Sequence, residues 1–242
     1  MLFRSAELDA SKINGTVIAV PVLNVYGMVN YPQRLPTGTS IDRCFPGRPN
    51  GTYGERIANI FTQEVLSKAN YCIELQTGAL NYNILPQVYC NFENNEAKSL
   101  ARNFGVPVVT NVNLETSPLR QTTENLNIPL LVYEAGEAMR FDESAIQLGF
   151  NGIKNALIKI GIMQPDPEQE ANDVIPFFSQ DEAWLLASKS GVLRSDVSLG
   201  QHIQKDDKIG SISDPFSADF SEPIHAKHAG IVAGIKIGRA HV

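Results

Sequence analysis

Apolar residues recur along this chain with two different periods, and the switches between them mark out its elements. Over 53–69 they fall at Ile57, Ile60, Phe61, Val65 and Leu66, the spacing of one helix face. Over 142–160 the same spacing returns at Ile146, Phe150, Ile153, Leu157 and Ile160, with Asp142 placed to cap the helix and Gly161 to stop it. Shorter helices are predicted over 96–104 and 119–125. Short apolar runs at 15–24, 71–75, 106–110 and 128–134 predict strands, the first a buried one bounded by Gly and Pro. Residues 25–52, rich in Gly, Pro, Asn and Thr, predict a long loop of the kind that carries function.

Strands alternating with helices predict an α/β domain on a mostly parallel sheet over 1–163. Chemistry in such sheets gathers beyond the carboxyl ends of the strands, where Gln76 and Glu134 fall. Residues 164–176 are acidic and Pro-containing and read as a linker. The tail, 177–242, predicts a small all-β domain with short strands and no helix. It holds a weak repeat, A-S-K-S-G-V at 187–192 against A-K-H-A-G-I at 226–231. That repeat resembles the paired hairpins of lipoyl-like barrel-sandwich domains; without an evident modification lysine, the module reads as structural.

Composition narrows the function classes. A formal net charge of −6 speaks against a nucleic-acid partner. No apolar run approaches the ~18 residues of a membrane helix. Residues 1–5 lack the apolar core of a signal peptide. Cys44, Cys72 and Cys90 fit no C-x-x-C pattern and read as reduced thiols of a cytoplasmic protein. The four histidines, His202, His225, His228 and His241, all lie in the tail. His225 and His228 look like a ligand pair, but on a strand they would face opposite ways.

A series of short motifs then resembles one family. G-T-V-I-A-V-P-V-L-N-V-Y-G at 15–27 is similar to a G-T-V-x-x-V-P-x-x-N-x-x-G pattern, and S-I-D-R-C-F-P-G at 40–47 to D-L-N-R-x-F-P-G. E-R-I-A at 55–58, E-L-Q-T-G at 74–78, P-Q-V at 86–88, S-P-L-R at 117–120 and E-A-G at 134–136 follow in order. On these motifs the chain resembles the succinylglutamate desuccinylase/aspartoacylase family, from about residue 10 to about 235.

The resemblance implies a zinc-carboxypeptidase-like α/β domain followed by a β domain, and hydrolysis of the amide in an N-acyl amino acid. It implies a zinc held by H-x-x-E and by the histidine of D-L-H-T-G, a carboxylate that shuttles a proton, and arginines that hold the substrate carboxylate. By matching motif positions, Glu134 takes the carboxylate's place, and Arg43 and Arg120 take the arginines' places. Asp42 stands for an Asn; an ionised Asp cannot donate to a carboxylate. Gln76 stands for the zinc histidine, and an amide is a poor zinc ligand. Gln33, Ser40, Asn81, Tyr82 and Tyr89 depart from the pattern as well.

The expectation is therefore a divergent member of a family of zinc-dependent amidohydrolases, inactive in this chain for want of zinc ligands, with a catalytically dead member that binds an acylated amino acid or a protein partner as the alternative. H-x-x-E would precede residue 1, so an N-terminal strand is expected to be missing. Residues 237–242 read either as read-through of a sequencing adapter or as a natural tail.

Overall fold

The structure is a computed structural model describing residues 7–30, 34–112, 117–165, 174–216 and 221–236, with the backbone of 239–240. Gln33, most of the linker, residues 237–238, and residues 241–242 with His241 lie outside the described residues.

The helices form where caps and periodicity coincide. Helix α1 (Val25–Asn30) starts where Gly27 N donates to Asn24 Oδ1, so the loop predicted over 25–52 contains a short helix. Helix α2 (Tyr53–Glu64) opens on a capping box: Thr52 accepts from Glu55 N, and the Glu55 carboxylate accepts from Thr52 N. Helix α3 (Asn95–Phe104) is capped by Asn94 and ends on Gly105 in a left-handed conformation. Helix α4 spans Pro118–Asn125. Helix α5 (Glu143–Lys159) begins on Asp142, which accepts from Ala145 N at 3.0 Å, and stops before left-handed Gly161.

Five strands form the spine of the central sheet: β1 (Cys72–Gly78), β2 (Tyr82–Cys90), β3 (Val108–Asn111), β4 (Leu130–Glu137) and β5 (Phe177–Ser179), in the order β1-β4-β2-β3-β5. Pairs β1–β4, β2–β3 and β3–β5 are parallel, and β2–β4 is antiparallel. β2 has no counterpart among the strands predicted from the pattern, because Pro86 interrupts its apolar run. Pro86 falls at the register shift between Ile84 and Gln87, the place a strand tolerates a missing N–H.

One sheet face is apolar. Ile73, Leu75, Val88, Val109, Leu131 and Tyr133 pack under α3 and α5. The helices come close because α5 carries Gly149 and Gly152 against the Tyr133 and Phe104 rings. A second cluster, built on Phe45, Ala58, Leu66 and Ile128, joins α2 and α4 to the other face.

The run 15–24 departs from expectation. It forms no ladder among the described residues, and Ile18 and Val20 are 52% and 44% exposed. A β-branched run becomes a strand only where a neighbour supplies hydrogen bonds; here Val17 and Leu23 merely rest against the two clusters.

The tail is all β among its described residues. Strands β6 (Gly191–Ser195), β8 (Lys208–Ser213) and β9 (Ser221–His225) form an antiparallel sheet with β12 (Arg239–Ala240). Strand β7 (His202–Ile203) pairs with β10 (Gly230–Ile231). Both copies of the repeat lead into strands, at Gly191 and Gly230. Strand β11 (Gly234–Lys236) returns to the central sheet and pairs antiparallel with the first half of β2, while β3 takes its second half.

Candidate active site at the ends of β1 and β4

Side chains alternate across a strand, so residues opposite the apolar face share the other one. On β1 these are Glu74 and Gln76, on β4 Val132 and Glu134, on β2 Gln87 and Tyr89. The registers line them up: Gln76 faces Glu134, and Glu134 faces Gln87 on its other side. The site is thus a polar patch on the sheet's second face, toward the carboxyl ends of β1 and β4.

Glu134 is half-buried, and its carboxyl titrates above the ordinary range. Burial is the largest cause; the carboxylates of Glu182 and Glu74 push the same way, while the Tyr89 hydroxyl and Arg120 pull back. The Tyr89 hydroxyl donates to Glu182 Oε2 at 3.0 Å and accepts from Gln87 Nε2 at 2.9 Å, within hydrogen-bonding reach of Glu134 as well. Burial and these carboxylates hold the Tyr89 phenol protonated.

Gln76 Nε2 donates to Glu74 Oε1. The Arg120 guanidinium reaches down from α4, with Nε 3.6 Å from Glu74 Oε2 and both side chains mostly buried. Neither atom has a hydrogen-bond partner among the described residues. Arg120, Tyr89 and Asn111 line a cavity of about 490 Å³ together with Gln180, Asp181 and Glu182.

Asp42 and Arg43 sit on a 3-10 turn, Ile41–Cys44, that packs against α4. Arg43 is exposed and Asp42 half-buried, and among the described residues they form no ion pair with each other. His225 ends β9 with Nδ1 2.9 Å from Asp206 O, and His228 lies past the strand in a bend, so the opposed-face geometry predicted for the pair does not arise.

The donors described around Gln76 do not fit zinc. Gln76 turns its amide N–H toward Glu74, and the Arg120 cation already lies beside that carboxylate. No group of three or more His, Cys, Asp or Glu side chains converges among the described residues.

Sequence reasoning missed Gln180, Asp181 and Glu182, because no local spacing connects a tail segment to α4. Gln87 was legible as part of P-Q-V, though not as Glu134's neighbour.

A mixed α/β domain with carboxylates, amides and an arginine gathered beside a cavity at one end of its sheet has the form of a small-molecule binding site. The succinylglutamate desuccinylase/aspartoacylase catalytic domain matches residues 5–160, and the chain belongs to that family. It is 24% identical over 219 residues, 87% of the chain, to the N-alpha-acetyl-L-2,4-diaminobutyric acid deacetylase of Halomonas elongata, and spans 64% of that protein's length. Its fold is similar to a succinylglutamate desuccinylase/aspartoacylase from Rhodobacter sphaeroides, with TM-score 0.82, 22% identity, and 98% of this chain and 75% of the other covered. It is also similar to the product-bound ectoine utilization protein EutE (DoeB) of Ruegeria pomeroyi, with TM-score 0.81, 20% identity, and 96% and 76% covered. No helix among the described residues is long and apolar enough to cross a membrane.

Proposed function

We propose that this is the site of an amidohydrolase for N-acyl amino acids, and that this chain binds such a ligand without hydrolysing it. The carrying observation is Gln76: at the position facing Glu134 it presents an amide bonded to Glu74 instead of an imidazole. Glu134 is the catalytic carboxylate of this reading. Its raised affinity for a proton suits an acid–base group, which takes a proton and returns it to a leaving amine. Arg120, which lines the cavity, holds the ligand carboxylate. Arg43 lies one element further out, beside α4, as a second anchor, with Asp42 limiting how acidic a ligand it admits.

The same reading takes residues 1–163 as a zinc-carboxypeptidase-like domain of a cytoplasmic protein, 164–176 as a linker and 177–242 as a barrel-sandwich tail. The ligand class draws support from the acetylated diamino acid in the name of the Halomonas elongata relative.

The test is metal content by mass spectrometry together with a thermal shift in N-acetyl-L-2,4-diaminobutyrate. The expected result is substoichiometric zinc, no released acetate, and a Tm rise with ligand that Arg120→Ala abolishes. At a ligand concentration 100 times Kd the stabilisation is about 2.7 kcal/mol. Stoichiometric zinc with turnover would instead make the chain a working amidohydrolase, and the absence of any shift would remove the binding reading.

A further inference from the structure

Part of the cavity wall comes from the tail. Beyond β5, residues 180–184 are held at three points. Asn111 Nδ2 donates to Gln180 Oε1 at 3.4 Å, the Tyr89 hydroxyl donates to Glu182 Oε2 at 3.0 Å, and the Trp184 ring lies against Tyr82 with centroids 4.8 Å apart. The Tyr89 bond engages one oxygen of Glu182 and leaves the other able to accept. Among the described residues Glu182 has no ion-pair partner.

The charge around this wall is one-sided. Arg120 is the cavity's cation, and it already faces Glu74. Among the described residues Glu74, Glu134, Asp181 and Glu182 thus stand about a single guanidinium. A ligand with two carboxylates can place one on Arg120 but brings the other among like charges. A ligand with one carboxylate and one ammonium complements both ends.

We infer that Glu182 is a specificity-determining residue, selecting acylated amino acids whose side chain carries an ammonium. The inference rests on the acyl-amino-acid reading of the site given above. The tail thereby contributes to recognition: its carboxylate is held by Tyr89, while Arg120 anchors the other end of the ligand. Glu182 is exposed to solvent, which limits the effect of an ion pair there to about fivefold in affinity and makes it sensitive to salt.

The test is calorimetric titration of the full chain with Nα-acetyl-L-ornithine, N-acetyl-L-glutamine and N-acetyl-L-glutamate. Affinity is expected to fall in that order. Glu182→Gln should reduce the ornithine-to-glutamine ratio about fivefold, with Tm unchanged because the side chain is at the surface. Glutamate binding as tightly as ornithine, or a ratio untouched by Glu182→Gln, overturns the role of Glu182 and leaves the site reading standing. Binding of none of the three overturns the site reading itself and this inference with it.

Discussion

Glu134 shows how a single carboxyl couples this site to stability. Its raised titration means that the folded chain holds the proton more tightly than the unfolded chain. Stability therefore declines as pH rises from the ordinary carboxyl value of 4.5 through the folded value. Glu134→Gln removes the cost of charging a half-buried acid. Its Tm at pH 7 is expected to exceed that of the parent, and the two should converge below about pH 4. Thermal melts at both pH values check this; a variant equally destabilised at each would refute it. The Tyr89 hydroxyl is the opposing influence, since it stabilises the charged form that burial disfavours.

Elements of this chain owe their positions to small residues as much as to large ones. The α5 face toward the sheet was legible from Ile146, Phe150, Ile153 and Leu157, all of which are buried. Gly149 and Gly152 on the same helix carry no periodic signal, yet they decide how near α5 lies to Tyr133 and α3. A Cβ at position 152 would stand 2.0 Å from Phe104 Cε1. Gly152→Ala is expected to cost about 2 kcal/mol despite its better helix propensity. That corresponds to a fall of roughly 5 °C in Tm, measurable by circular dichroism. An unchanged or higher Tm would mean that the Phe104 ring moves freely aside.

The molecule as a whole is stitched together across the predicted linker. Strand β5 extends the central sheet beyond β3, and β11 covers the first half of β2. Phe178 on β5 packs against Phe92 at 5.6 Å between centroids, under the Arg102 guanidinium 5.0 Å from its ring. These contacts join the tail to the sheet. Scanning calorimetry of the full chain is expected to show a single transition, and a chain cut after residue 176 to melt lower. Two resolved transitions would show that the tail folds apart from the sheet. Strand β1, in contrast, pairs only with β4 among the described residues.

Local patterning carried the features that depend on neighbours a few residues apart. The main helices, the Asp142 cap and Gly161 stop of α5, and the strands leading to Gln76 and Glu134 were legible in that way, though β4 runs on past Glu134 to Glu137. The family motifs added which of those polar positions to expect in a site, and the family match bears out the resemblance itself. Features that depend on long-range pairing were not legible. The run 15–24 is as apolar as a strand, but no ladder among the described residues receives it. Tyr82–Cys90 is broken by Pro86, yet becomes the sheet's central strand because β3, β4 and β11 all pair with it. The meeting of Glu182 with Tyr89 and of Arg120 with Glu74 joins segments 93 and 46 residues apart. Periodicity reports what one backbone segment presents to a face; only the folded sheet decides which faces meet.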